Sequence, residues 1–220
     1  MPPRALDPSG LFLIDKLAGP SSFAVVAEVR RRTGARTGHA GTLDPFATGL
    51  LLVFSGAATK LVSRFVGLDK RYVTDVDLTA VTDTGDREGE VVGSSEPPSA
   101  DELAEQLNGL RGDIELPVPA ASAVKIDGER AYRLHRRGVA VEMPLRRSRV
   151  DALDLMSYED GVARLDLLVS SGTYVRAIAA ALGGHCSTLR RTEVGPFGVD
   201  EADPQRLIPG DEAVARLGPP

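Results

Sequence analysis

The segment GHAGTLDPFATG, residues 38–49, contains the strongest candidate for chemistry in the chain, the carboxylate of Asp44. An aspartate can act as a nucleophile or stabilise a positive charge that develops on a substrate. A purely structural explanation is also available, because Asp is a favoured helix N-cap and Pro45 suits the first helical position. The local sequence leaves both interpretations open.

Other common kinds of catalytic centre lack their signatures. The histidines and the single cysteine do not have metal-ligand spacing, so we expect no metal site; they are His39, His135, His185 and Cys186. The glycines match neither a P-loop nor a dinucleotide fingerprint, and no G-x-S-x-G elbow is present. The remaining candidates are carboxylate, tyrosine and arginine side chains in loops.

The bulk properties are those of an ordinary globular protein. The chain has 220 residues, of which 42% are hydrophobic and 26% charged, enough for one sizeable core. No apolar run is long enough to span a membrane, and the first ten residues do not resemble a secretory signal. A single cysteine excludes an internal disulfide and fits a reducing compartment. We therefore expect a cytoplasmic protein.

The net charge of −5 conceals a strong segregation of charge. Residues 75–105 carry ten acidic side chains and one arginine, whereas residues 129–150 carry seven arginines and two glutamates. A second basic cluster lies just before the Asp44 segment, at Arg30, Arg31, Arg32 and Arg36. Such clusters can attract a phosphate backbone, but solvated helix faces explain them equally well at this point.

The periodicity predicts interspersed helices and strands. A helix follows Ser21 or Ser22 and ends at Gly34, and a Ser99–Glu102 capping box opens another. Strands are predicted at 10–15, 49–56, 70–84 and on both sides of a hairpin turn at 159–161, and the end of the chain is turn-rich with at most one short helix. Without a regular βαβ rhythm, we predict an α+β fold with a mixed, mainly antiparallel sheet and flanking helices.

Six segments, in order from residue 15 to residue 197, resemble motifs of one enzyme family. GHAGTLDPFATGLLLVFSGAATKL is similar to GHxGTLDPxAxG followed by ATK in the bacterial TruB-type tRNA pseudouridine synthases. The others are DKLAGPSS, DKRY with TDTGDREGE, SAVKIDGERAYRLHRRG, SSGTYVRAIAAALG and LRRTEVGPF. The resemblance implies the pseudouridine synthase fold with an active-site cleft. It also implies a cofactor-free isomerisation of uridine to pseudouridine at position 55, in the T loop of tRNA.

The resemblance assigns roles to three residues. Asp44 is similar to the family's catalytic aspartate, and Arg176 to the arginine that pairs with it. An adjacent cation keeps a carboxylate ionised and oriented. Tyr72 is similar to the aromatic residue that stacks on the flipped base, and its phenol is a candidate proton acceptor.

Further positions are assigned to the substrate pocket. Tyr174 and Leu189 resemble wall residues that exclude water, and His39 resembles a histidine that occupies space in the substrate loop. Lys16 and Lys60 match motif lysines that hold either the protein backbone or phosphate. Without the motifs, the tyrosines and Leu189 would be interpreted as ordinary packing residues.

The arginine-rich stretch of residues 129–149, called the basic segment below, falls where the family has a mobile segment that grips the T arm. We therefore expect residues 119–149 to form an RNA-gripping insertion in which Arg136 and Arg137 contact the tRNA. Residues 1–200 are predicted to be the catalytic domain and residues 201–220 a short tail. Family members usually continue into a small PUA-like RNA-binding domain, which we do not expect in this chain.

The sequence departs from the family pattern at three places. Leu17 replaces the usual proline of the first motif, and DIELPVPAASA lacks the expected Gln and aromatic residue. The stretch between GTYVR and LRR is shorter than usual. The missing Gln and aromatic residue affect the expected docking of the insertion on the rest of the protein.

The sequence leaves three other functions open. These are a guide-RNA-dependent pseudouridine synthase, an RNA-binding protein that remodels tRNA without turnover, and a carboxylate-dependent nucleoside hydrolase. The hydrolase is disfavoured because no second carboxylate is apparent that could activate water. We expect a monomer that needs no protein partner and no membrane.

Overall fold

The computed structural model describes residues 8–218, which form two compact units. Unit 1 contains the residues up to Tyr72 together with those from Arg190 onward, and unit 2 contains Val73–Leu189. Strands β4 (Lys70–Asp77) and β12 (His185–Val194) contribute residues to both units. The described chain is α+β with a mostly antiparallel mixed sheet, as the sequence predicts.

Unit 1 is built on strands β1 (Gly10–Lys16) and β3 (Thr48–Ser55), which pair antiparallel along their length. The other elements of unit 1 are α1 (Ser22–Thr33), β2 (Thr37–Ala40), α2 (Val62–Val66), β13 (Phe197–Gly198), β14 (Asp203–Pro209) and α6 (Gly210–Ala215), with 3₁₀ turns at Gly56–Leu61 and Val199–Glu201. Strand β14 pairs with β1, β2 pairs with β3, and the Arg190–Arg191 end of β12 runs parallel to β3.

Both faces of β1 and β3 are apolar, so this part of the sheet is buried on two sides. One face contributes Leu11 and Leu13 to a cluster with three phenylalanines. The rings of Phe54 and Phe65 are 4.9 Å apart in an edge-to-face arrangement, and Phe65 and Phe197 are 5.9 Å apart. The opposite face packs against helix α1. Two-sided burial explains why the strands appear as continuous apolar runs in the sequence.

Unit 2 contains the long hairpin of β10 (Leu145–Glu159) and β11 (Val162–Val169), closed by Asp160 and Gly161 at positive φ. Helix α3 (Ala100–Gly109) packs on β10 and begins with the predicted Ser99–Glu102 capping box. The other elements of unit 2 are β5 (Ala80–Thr82), β6 (Val91–Ser94), β7 (Gly112–Pro117), β8 (Lys125–Ile126), β9 (Glu129–Arg130), α4 (Ala131–Arg136) and α5 (Val175–Ala181). Strand β7 pairs with β10, and β5 pairs with β6.

The predicted turn-rich end is wrong in one respect, because strand β14 is formed there, whereas the single short helix allowed by the prediction is α6. Only Ile208 of its seven residues is buried, so the strand lacks the alternation by which strands are recognised. Backbone pairing to β1 makes it an edge strand, where Pro204 and Pro209 are tolerated. The last two residues of the predicted 201–220 tail lie outside the described residues.

Candidate active site

Asp44 lies in a loop of residues 41–47 that joins β2 to β3, and no helix begins there. The amide of Ala47 donates to the carbonyl of Asp44 over 3.2 Å, after which the chain enters β3 at Thr48. The N-cap interpretation of Asp44 is therefore wrong. Seven of the eight residues of β3 are buried, and this apolar burial outweighs the weak local preference of Asp-Pro for a helix start.

Three buried polar side chains hold the backbone on both sides of Asp44. The Lys16 ammonium donates to the carbonyls of Pro45 and Ala47 over 3.1 and 2.8 Å. The Ser22 hydroxyl bonds to Leu43, and the Arg191 guanidinium donates to the carbonyls of Gly41 and Leu50 over 3.1 and 2.7 Å. Bonds from buried charged donors to carbonyl groups are among the stronger hydrogen bonds in proteins. The loop is thus fixed at alternate residues, with Asp44 near its centre.

The contacts of Lys16 distinguish between its two predicted uses. Its side chain is 1% exposed, and its hydrogen bonds to carbonyls include one to Leu17 over 2.9 Å. The structure therefore shows Lys16 holding protein backbone. Lys60, by contrast, is exposed at the end of a 3₁₀ turn, where phosphate can reach it.

His39 and Tyr72 are the remaining predicted site residues of unit 1. His39 is in β2, and within residues 8–218 its buried Nδ1 has no hydrogen-bond partner. Burial, and secondarily the charge of Arg191, lower the pKa of His39 below its usual 6.5, so the imidazole is neutral at pH 7. Tyr72 is in β4 and is 8% exposed. Neutral imidazole and buried phenol suit contact with a base better than contact with phosphate.

Lys70, two residues before Tyr72, is an unusual buried cation. Its side chain is 4% exposed, and its ammonium donates to the carbonyls of Val66 and Leu68. Burial, and secondarily the charge of Arg191, lower the pKa of Lys70 from 10.5 to about 8, with Asp69 partly opposing both effects. The sequence analysis did not single out this residue.

In unit 2, Arg176 is the second residue of α5 and is 2% exposed. Its guanidinium donates to the carbonyl of Thr84 over 2.7 Å and to that of Ala121 over 3.1 Å. It also forms an ion pair with Asp86, with 3.3 Å between Nη1 and Oδ2. Asp44 belongs to unit 1, so the predicted pairing of Arg176 with Asp44 stays a prediction.

Asp86 is a functional candidate that the sequence analysis missed. It is 5% exposed, and its Oδ1 accepts hydrogen bonds from the Thr84 hydroxyl and the Glu88 amide over 2.8 and 3.0 Å. The available signal was the second aspartate of TDTGD, a small polar turn within an otherwise acidic stretch. A second buried carboxylate is therefore present in unit 2, but it does not supply the water-activating group whose absence disfavours a hydrolase. With three partners in dry surroundings, this carboxylate orients Arg176 and is poorly suited to activating water.

Tyr174 and Leu189 also lie in unit 2. Tyr174 precedes the first residue of α5, and the Arg146 guanidinium lies 5.9 Å from the centre of its ring. Gly172, at φ +83°, has no side chain to obstruct that arginine, since a Cβ there would lie 2.4 Å from Arg146 Nη2. Leu189 is in β12 and is 7% exposed. Arg146 thus restrains one of the two predicted wall residues.

The basic segment carries Arg136 and Arg137 on its surface, at the end of α4. Arg136 lies over the ring of Tyr132, 5.7 Å from its centre. Arg137 makes two hydrogen bonds with Glu129, of 2.7 and 2.9 Å, which lower the pKa of that carboxyl and raise that of the arginine. The two neighbouring arginines are therefore not equivalent, because Arg137 already has an acidic partner within the segment.

Residues 8–218 contain no group of three or more His, Cys, Asp or Glu side chains arranged to hold a metal ion. None of the helices formed by those residues has the length and apolar character needed to cross a bilayer.

Solved structures with a similar fold include a Cbf5-containing complex and a pseudouridylate synthase. The crystal structure of a Cbf5-Nop10-Gar1 complex matches 91% of this chain and 56% of that chain, with a TM-score of 0.68 and 27% identity. A crystal structure of a pseudouridylate synthase matches 97% of this chain and 75% of that chain, with a TM-score of 0.50 and 17% identity, which shows the fold alone.

Sequence comparison gives closer relatives. A tRNA pseudouridine synthase B of Leifsonia xyli is 44% identical over 95% of this chain and 77% of its own length. The protein of the same name from Mycobacterium sp. (strain KMS) is 42% identical over 89% of this chain and 70% of its own length. The family model for the N-terminal domain of TruB family pseudouridylate synthases matches residues 30–175, more than half of the chain. This chain therefore belongs to the TruB family of pseudouridylate synthases.

Proposed function

We propose that this protein isomerises the uridine at position 55, in the T loop of tRNA, to pseudouridine, without a cofactor. The observation that carries the proposal is the 42–44% identity to proteins named tRNA pseudouridine synthase B over most of the chain. The fixed loop around Asp44 supports it, because a catalytic carboxylate must be held in one position relative to the sugar.

Asp44 is proposed as the catalytic carboxylate. The reaction breaks the N-glycosidic bond of uridine, turns the base and rejoins it through carbon. That carbon loses its proton, and the nitrogen that was bonded to the sugar gains one. Asp44 acts either as a nucleophile at the sugar or as a stabiliser of its developing positive charge. It is a half-buried side chain between hydrogen-bonded backbone groups, and this arrangement supports either role.

Arg176 is proposed as the ion-pair partner of Asp44, and Asp86 as the group that orients Arg176. A guanidinium held by two carbonyls and a carboxylate has little freedom to follow a moving substrate. Such restraint is what electrostatic stabilisation of a transition state requires.

The target base is proposed to leave its stack and lie against Tyr72, with Tyr174 and Leu189 excluding water. Tyr72 is buried in a strand rather than placed on a mobile loop, which supports a fixed stacking surface. His39, neutral at pH 7, takes a positional role and does not donate a proton.

The insertion of residues 119–149, which contains the basic segment, is proposed to grip the T arm, with Arg136 and Arg137 on phosphate and Lys60 as a further contact. We propose a monomer that acts in the cytoplasm and requires no protein partner. The proposed catalytic domain comprises residues 1–200.

The test is pseudouridine formation on an unmodified T-arm stem-loop and on full-length tRNA, without any guide RNA. The wild-type protein is compared with Asp44→Asn and with Asp211→Asn, the same change at an exposed position of unit 1. We expect product with the wild type and with Asp211→Asn, and none with Asp44→Asn.

Each alternative function gives a different result in this assay. Binding without product indicates an RNA-binding protein, and release of free uracil indicates a hydrolase. Product that forms only after a guide RNA is added indicates a guided enzyme. Each of these three results would contradict the proposal.

A further inference from the structure

The chain has two adjacent serines at the start of α1, and their hydroxyl groups do different work. Ser21 is the helix N-cap, since its side chain accepts the amide of Ala24 over 3.2 Å. Ser22 is 1% exposed, and its hydroxyl instead bonds to Leu43 in the active-site loop. The hydroxyl of Ser22 is thus not used for capping.

The contact between Ser22 and Leu43 is reciprocal. The amide of Leu43 donates to Ser22 Oγ over 2.8 Å, and Ser22 Oγ donates to the carbonyl of Leu43 over 2.9 Å. One hydroxyl therefore satisfies both backbone groups of a residue that is itself 3% exposed. Buried backbone groups left without partners are costly, so this contact strongly restrains the loop.

The restraint passes directly to Asp44. The carbonyl of Leu43 and the nitrogen of Asp44 belong to one planar peptide unit. Holding that carbonyl fixes the plane and with it the N–Cα bond of Asp44, which limits the directions that the Asp44 side chain can take. On the other side of Asp44, Lys16 holds the carbonyls of Pro45 and Ala47 independently.

We propose that Ser22 is a positioning residue for Asp44, acting through the peptide unit that joins Leu43 to Asp44. This inference rests on the proposed function of Asp44. Removing the hydroxyl leaves the Lys16 contacts in place, so the loop stays closed while the carboxylate loses its fixed direction. Small displacements of a reacting group can reduce a rate about 100-fold.

The experiment compares Ser22→Ala with Ser21→Ala as a matched neighbour. Three quantities are measured: the single-turnover rate of pseudouridine formation on the T-arm stem-loop, the Kd for that RNA, and Tm. Ser22→Ala is expected to lower the rate by about 10- to 100-fold with Kd within about threefold of the wild type. Ser21→Ala is expected to lower Tm through the lost cap and to leave the rate within about twofold.

A second pair separates the hydroxyl from side-chain size. Ser22→Thr keeps the hydroxyl and Ser22→Val replaces it with a methyl group of the same shape, so Thr is expected to exceed Val in rate by about tenfold or more. Equal rates for these two variants would overturn the proposal, as would a Ser22→Ala rate within twofold of the wild type.

A measurement on the wild-type protein covers the case in which the variants do not fold. Amide exchange of Leu43 is expected to be strongly protected, because its hydrogen is donated to a buried oxygen. Exchange at an unprotected rate would overturn the proposal. A wild-type protein that makes no pseudouridine contradicts the proposed function instead, and the two failures are thereby distinguished.

Discussion

Lys70 gives a quantitative test of the electrostatics in unit 1. With its pKa lowered to about 8 in the folded state, Lys70 binds fewer protons than in the unfolded chain at every pH between about 8 and 10.5. Stability rises with pH wherever the unfolded state binds more protons. The cost of burying this cation beside Arg191 is therefore fully present below pH 8 and is removed progressively above it.

The expected size follows from the two pKa values. A lysine that titrates at about 8 when folded and 10.5 when unfolded increases the free energy of unfolding by about 2.5 kcal/mol between pH 7 and pH 10. Lys70→Met removes this contribution and also leaves the carbonyls of Val66 and Leu68 without their donor, which adds an offset that does not depend on pH.

The assay is urea unfolding of the wild type and Lys70→Met at pH 7, 8, 9 and 10. The free energy of unfolding of the wild type minus that of the variant is expected to rise by about 0.4 kcal/mol from pH 7 to 8 and then by about 1 kcal/mol per pH unit up to pH 10. Lys60→Met is the control, because it shows how the loss of an exposed lysine changes the free energy of unfolding between pH 7 and pH 10. A Lys70 difference that stays constant to pH 10, or that falls, would refute the reasoning.

Two further substitutions test the site's backbone and its RNA contact. Gly49 has φ +104°, and Gly49→Ala would place a Cβ 2.1 Å from the carbonyl oxygen of Arg191, so we expect the free energy of unfolding in urea to fall by at least about 2 kcal/mol. The control is Gly34→Ala, because Gly34 has φ +67° but no atom within 4 Å of the added Cβ, and we expect a fall of only about 1 kcal/mol. Equal losses of unfolding free energy for the two variants would show that the contact between a residue-49 Cβ and the Arg191 carbonyl does not destabilise the protein. Glu129→Gln releases Arg137 and should tighten the Kd for the T-arm stem-loop by about two- to fivefold, with a steeper salt dependence. Glu142→Gln removes the same charge from the same segment, and an equal effect there would contradict a specific release of Arg137.

The features that the sequence predicts correctly are local ones. The serine cap of α1, predicted at Ser21 or Ser22 and found at Ser21, depends on residues a few positions apart, as do its Gly34 C-cap, the Ser99–Glu102 box and the hairpin turn at Asp160. The spacing of these residue types is therefore enough to predict the caps and the turn. The family motifs added site residues that no local rule could have found.

The features that the sequence does not predict depend on distant backbone partners. Strand β14 forms because β1 offers a free edge about 190 residues earlier in the chain, and its own side chains carry no strand pattern. Asp86 and Arg176 are 90 positions apart, so no local sequence pattern predicts their ion pair. The Asp44-Pro45 pair is compatible with a helix cap and with a loop that carries a functional carboxylate. The burial of β3, which follows the pair, decides against the cap.

The discontinuous sequence of unit 1 has a consequence for the order of folding on the ribosome. Unit 2 is one continuous stretch and can fold as soon as it has emerged, whereas unit 1 waits for residues made after Leu189. The guanidinium of Arg191 reaches the carbonyl of Gly41 across 150 positions of sequence. The Asp44 loop is therefore completed only after residue 191 has emerged, and a nascent chain that ends before it lacks one of the side chains that hold this loop.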